Sequence, residues 1–181
     1  GGLGEKPGDG AFNRATQATR SPGSTMKPIS TYSLAVQKNL ITYSTLIPDE
    51  AINIGTQDEP QIWPQNYGEV WGDGTLRTAW YGVQHSLNTL AVRVGRMNTT
   101  KAMYTQLTQM LGFTTLVESD IALSPLCLGA LTNGAKLVEV AGAYQIFGNG
   151  GVYYRLRFVI CCCGIVKVNH VFLVTIGGYF A

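Results

Sequence analysis

The chain has 181 residues, 45% of them hydrophobic and 13% charged, with a net charge of +2. That length suffices for one domain with a real core. The charged share is about half the ~25% usual for soluble domains, which argues against disorder by self-repulsion. The near-neutral balance, with no run of Lys and Arg, makes no case for a nucleic-acid or acidic partner.

In chain order, Gly1 opens the sequence with no charged region ahead of an apolar one. No signal peptide is visible, so a processed chain or a fragment is expected. Residues 1–13 are glycine-rich and predict a strand end followed by a loop. From Ser24 the pattern turns helical: Met26, Ile29, Leu34 and Val36 suit a helix buried over much of its face, ending near Asn39 or Tyr43. Pro28 is tolerable only near a helix start, which puts that start close to Ser24. Residues 44–74, with Pro48, Pro60 and Pro64, predict a long irregular loop, a length that usually carries function.

Thr75 then reads as an N-cap for a helix to about Gln84. Ser86 interrupts, and the helical pattern continues over 89–94. It resumes over 99–111, with Thr100 as cap and Gly112 as stop. Another helix is expected over 137–147, closed by Gly148-Asn149-Gly150-Gly151, and then a strand over 152–160. Mainly helical order with strand material at both ends predicts an α+β domain. The apolar stretch 158–180 has Lys167, Asn169 and His170 at its centre, where a membrane span would bury them, so a transmembrane reading is disfavoured. Cys161, Cys162 and Cys163 are adjacent and Cys127 stands alone. Zinc sites need spacings such as C-x₂-C, so apolar fillers are expected and no metal.

Two short segments carry chemistry. In "RSPGSTMKP", residues 20–28, Lys27 follows Ser24 by three positions, which on a helix places both on one face. A lysine there can take a serine's proton, and a helix start offers free N–H groups to a developing oxyanion. The base must be neutral, and its ordinary pKa of ~10.4 must fall through burial or a second cation. The bland alternative is a capping serine with a solvated lysine. In Ser86-Leu87-Asn88, a hydroxyl able to relay protons and an amide able to hold a carbonyl could share one cleft. The bland alternative is an ordinary turn.

Together, "STMK" and "SLN" match two of the three motifs S-x-x-K, S-D-N and K-T-G of class A β-lactamases and penicillin-binding proteins. The surroundings sharpen this. "NRATQATRSPGSTMKPISTY" resembles the nucleophile segment of bifunctional (class A) penicillin-binding proteins, and "WPQNY", residues 63–67, their loop before the second motif. "GTLRTAWYGVQHSLNTLAVRVG" is similar to their second-motif helix, and "LGALTNGAKLVEVAGAYQIFGNGGVYYRLRFVI" to the helix and strand after it. The resemblance covers nearly all of residues 1–160.

It implies a penicillin-binding protein/serine β-lactamase-like transpeptidase fold: a helical cluster packed on an antiparallel sheet, with the C-terminal strands incomplete. The implied function is peptidoglycan D,D-transpeptidation without a cofactor. By resemblance, Ser24 is the nucleophile, Lys27 its base, Ser86 the proton shuttle and Asn88 a substrate-binding amide. Stem peptides and β-lactams are the implied ligands. The implied parent is membrane-anchored, acts on the extracytoplasmic face and carries a glycosyltransferase domain upstream.

The sequence departs from the pattern at its end. K-T-G is missing: Lys167 precedes Val168-Asn169, and "TIGG", 175–178, has no lysine before its threonine. The composition shift at Cys161 predicts a partial transpeptidase domain over 1–160 and an off-frame or foreign tail over 161–181. Two alternatives stand beside the transpeptidase. A serine β-lactamase or D,D-carboxypeptidase shares the first motif but not the surroundings of "WPQNY" and "RSPGSTMKP". A penicillin-recognising remnant or sensor fits the absent third motif.

Overall fold

The computed structural model describes residues 12–155 and 171–173. Most of the predicted N-terminal strand end, Cys161–Cys163, Lys167 and Thr175–Gly178 lie outside these residues.

Strand β1 (Thr19–Arg20) leads into the helix expected from Ser24, which is built in three registers. A 3₁₀ turn spans Gly23–Thr25, a π-helical stretch Lys27–Tyr32, and α1 Ser33–Gln37. Pro28 lies at the start of the π stretch, where its missing N–H costs little, and the Ser33 N–H reaches back to the Pro28 carbonyl. A π stretch leaves carbonyls off the regular ladder. Buried side chains satisfy them here. The Ile29 carbonyl accepts from Ser33 Oγ at 2.9 Å and from Gln106 Nε2 at 2.7 Å, and Asn98 Nδ2 donates to the Thr31 carbonyl at 2.7 Å. Asn39, at φ 55°, ends the helix.

The stretch expected to be irregular contains β2 (Leu46–Pro48), β3 (Ile52–Asn53) and β4 (Ile62–Trp63). β3 and β4 pair antiparallel, and β2 pairs antiparallel with β5 (Leu76–Thr78). That ladder draws in the residues after Thr75. The cap of α2 (Ala79–Gln84) is therefore Thr78, whose Oγ1 accepts from the Tyr81 N–H at 3.1 Å. Next come α3 (Asn88–Asn98) and α4 (Thr100–Thr105), the latter continued by a π-helical stretch over Gln106–Met110. The α4 cap is Thr99 rather than Thr100, and Gly112, at φ +70°, follows the helix as predicted.

Helix α5 (Leu123–Leu128) has no counterpart in the sequence expectations, because six residues containing Pro125 show no clear period. β6 (Ala135–Lys136) pairs antiparallel with β1. α6 (Leu137–Tyr144) and a 3₁₀ turn over Gln145–Phe147 fill the predicted 137–147 helix. β7 (Val152–Tyr154) starts where its strand was expected and pairs antiparallel with β8 (Val171–Leu173). The fold is α+β, as predicted, with antiparallel pairing throughout the described strands.

The helix over 26–37 lies between two apolar clusters. Met26, Ile29 and Leu34 pack with Met103, Leu107, Leu126 and Cys127. Tyr32 and Ala35 pack with Ile47, Ala79, Leu90 and Val94. The Met, Ile, Leu and Val side chains among these contribute ~1.5–3 kcal/mol each when fully buried, so the segment carrying Ser24 and Lys27 is fixed from both sides. Among the described residues no helix is long and apolar enough to cross a membrane.

Candidate active site

Ser24 is exposed in the turn that opens the central helix. Three contacts hold that turn. Ser21 Oγ donates to the Gly129 carbonyl at 2.7 Å, Thr25 Oγ1 to the Pro22 carbonyl at 2.7 Å, and Tyr144 Oη to the Thr25 carbonyl at 2.9 Å. Gly23, at φ +55°, supplies the sharp bend that enters the helix. The Ser24 hydroxyl itself has no hydrogen-bond partner among the described residues.

Lys27 sits in the opposite environment: it is 2% exposed. Its Nζ donates to the Ser86 carbonyl at 2.6 Å, Asn88 Oδ1 at 2.6 Å and Ser86 Oγ at 3.1 Å. Burial pushes its pKa down to about 8. The sequence spacing places Lys27 within reach of Ser24, yet no hydrogen bond joins them among the described residues. Two carbonyl acceptors in the interior hold the amine better than one exposed hydroxyl does. An ammonium has three N–H donors, one for each of the three oxygens. The neutral amine keeps two for the 2.6 Å acceptors and leaves its lone pair free. The site therefore accommodates both protonation states.

Ser86 occupies the left-handed region at φ 53°, uncommon for a side chain other than Gly, Asn or Asp. Such conformations cost ~1–3 kcal/mol and cluster at functional sites. Here the geometry delivers both the carbonyl and the hydroxyl of one residue to Lys27. Asn88 opens α3, and its amide orientation is unambiguous: Oδ1 faces the Lys27 amine, and Nδ2 donates to the Gln65 carbonyl at 2.7 Å. Thus Lys27, Ser86 and Asn88 meet as one cluster, and Ser24 stands at the start of the same helix as Lys27.

Sequence reasoning assigned no role to Asp49 and Asn66, which support this cluster. Asn66 Oδ1 accepts from the Asn88 N–H at 2.8 Å, and Asn66 Nδ2 donates to Asp49 Oδ1 at 3.1 Å. Asp49, 6% exposed, also accepts from Thr89 Oγ1 at 2.6 Å and faces Arg77 Nε at 3.6 Å. The sequence signal for them is "WPQNY", residues 63–67, which contains Asn66. Beside Ser86, a cleft of about 370 Å³ is walled by Asp49, Asn66, Tyr67, Trp71, Arg77 and Tyr81.

Residues 5–168 match the family model described as the penicillin binding protein transpeptidase domain. The chain is 38% identical over 144 residues to penicillin-binding protein 4 of Bacillus subtilis (strain 168), covering 78% of this chain and 21% of that relative. It is 38% identical over 148 residues to penicillin-binding protein 1A of Neisseria lactamica, covering 80% of this chain and 17% of that relative. It thus spans about a fifth of the curated relatives it matches. A crystal structure of penicillin-binding protein 1A from Haemophilus influenzae superposes with a TM-score of 0.62 at 26% identity, over 78% of this chain and 20% of that one. The imipenem acyl-enzyme complex of penicillin-binding protein A from M. tuberculosis shares the fold, with a TM-score of 0.62 at 21% identity over 78% of this chain and 35% of that one. With the family model covering most of its length, this α+β chain belongs to the penicillin-binding protein transpeptidase domain family.

Proposed function

We propose that this chain carries the acylation site of a peptidoglycan D,D-transpeptidase, with Ser24 as nucleophile, Lys27 as its base, Ser86 as proton shuttle and Asn88 as substrate-binding amide. The observation that carries the reading is the convergence of a buried Lys27 amine on Ser86 and Asn88 from another part of the chain. About a tenth of an amine with a pKa of about 8 is neutral at pH 7. That fraction takes the Ser24 proton as Oγ attacks the penultimate D-alanine carbonyl of a stem peptide. The carbonyl–nitrogen bond to the terminal D-alanine breaks, and the proton passes through Ser86 to the leaving amine. The acyl–Ser24 ester is then transferred to an amine of a second stem peptide, which restores the serine. A β-lactam follows the first half of this sequence and stays attached through its opened ring.

The parent protein, by the same proposal, is longer, membrane-anchored and extracytoplasmic, with a glycosyltransferase domain upstream. The short span of this chain against its relatives supports the first point. The partial-domain boundary at 160 and the foreign origin of 161–181 are likewise proposals, tested by reading the encoding DNA in its other frames.

The deciding experiment is labelling with a fluorescent penicillin. The wild-type chain is expected to label and Ser24→Ala to show none. Equal labelling of both removes Ser24 as nucleophile. Rapid turnover of a chromogenic cephalosporin points instead to β-lactamase chemistry.

A further inference from the structure

We infer that Asp49 and Asn66 are positioning residues that hold Asn88 against Lys27, an inference that rests on the proposed role of Lys27 and Asn88. Asn88 is gripped at two points by consecutive residues of one loop. The Gln65 carbonyl takes its Nδ2 at 2.7 Å, and Asn66 Oδ1 takes its backbone N–H at 2.8 Å. With both held, the one polar atom left on the Asn88 side chain, Oδ1, faces Lys27 Nζ at 2.6 Å. An asparagine free to turn about its side-chain bonds would not keep this aim.

The grip depends in turn on the orientation of Asn66. Its amide has an oxygen end and a nitrogen end, and reversing it would set an NH₂ against the Asn88 N–H. Asp49 decides the matter. Its Oδ1 accepts from Asn66 Nδ2 at 3.1 Å, which only one orientation permits. The Thr89 hydroxyl, one residue beyond Asn88, donates to that same oxygen at 2.6 Å and lies 3.3 Å from Asn66 Oδ1. The Thr89 N–H reaches Asn66 Oδ1 at 3.3 Å, so Asn66 also satisfies unpaired donors of the first turn of α3. Asp49 is itself fixed. Its N–H donates to the Thr75 carbonyl, its carbonyl accepts from Gly74, and any Cβ at Gly72 would overlap its backbone. The region between β2 and β5 is thereby given a task, which is to set the aim of an amide on a different element.

The test is a double-mutant cycle on the full 181-residue chain, read as the second-order rate of acylation by a fluorescent penicillin. In the wild-type background, Asn66→Ala is expected to slow acylation about 10- to 100-fold, the scale of a small misplacement at a reacting centre. In an Asn88→Ala background, the same change is expected to matter by no more than about 2-fold, the scatter within which such a cycle is read. An equal loss in both backgrounds overturns the inference, because Asn66 then acts without Asn88. Asp49→Asn, which keeps an oxygen for Asn66 and Thr89, is expected to recover most of the rate lost in Asp49→Ala.

A second readout needs no acylation. The NMR signals of the Asn88 side-chain amide are expected to shift in Asn66→Ala and Asp49→Ala and to return in Asp49→Asn. Unshifted signals overturn the inference even if no variant reacts. Failure of the underlying functional reading shows elsewhere, as equal labelling of Ser24→Ala.

Discussion

Lys27 is a cation placed where cations are costly, and that placement makes it a usable base. Its folded pKa of about 8 lies below its ordinary 10.5 because of burial. Only the neutral amine accepts a proton, so acylation is expected to rise with pH through about 8 and level off above it. Lys27→Met is expected to slow acylation about 10²–10⁴-fold and to flatten that profile. A profile unchanged by the substitution assigns the base to another group. The same shift has a stability consequence. Between about 8 and 10.5 the unfolded chain binds more protons than the folded one, so this residue's contribution to stability grows as pH rises through that window and is lost as pH falls through it. The residue types of the site were legible because Ser24 and Lys27 are three apart and Ser86 and Asn88 two apart. Spacing that short fixes relative placement by backbone geometry alone. Asp49 and Asn66, seventeen positions apart with the β3–β4 pair between them, carry no such mark.

At the scale of elements, the site depends on how closely α3 and α5 approach. Gly95 of α3 makes this approach possible: a Cβ there would overlap the Cys127 sulfur of α5. Cys127 is fully buried, its thiol pushed up to about 12 by burial, and it sits on α5 as the apolar filler expected of it. Gly95→Ala is expected to destabilise the fold by about 1–3 kcal/mol, measured by urea unfolding. No change in midpoint would mean that α5 moves aside freely. Helix starts were the elements least legible in sequence. Thr75 and Thr100 look as good as Thr78 and Thr99, and a ladder between distant strands decided the first case. The three-register helix was equally hidden, since the hydrogen bonds that satisfy its carbonyls come from Asn98 and Gln106 on later helices.

At the scale of the whole molecule, the Ser24 turn is held from the far side of the chain. Gly129, at φ +76°, lies against the backbone of Gly23, and a Cβ there would overlap the Gly23 carbonyl. Its own carbonyl accepts from Ser21 Oγ, 108 residues away in sequence. β1 and β6 join the same two regions. Gly129→Ala is expected to cost about 1–3 kcal/mol through backbone strain. It is also expected to slow penicillin labelling at least about 10-fold by displacing the turn. Lost stability with unaltered labelling would show that the turn keeps its shape without this support.

The sequence by itself determined the family, the α+β class and the residue types that meet at the site, because short-range spacing and local turn chemistry are carried by neighbouring residues. Only the tertiary structure decided what Lys27 touches. Its partners were settled by burial and by the competition between Ser24 and two interior carbonyl acceptors, a competition no local pattern records. The same holds for Asp49 and Asn66, whose role exists only once the loop folds back on the start of α3.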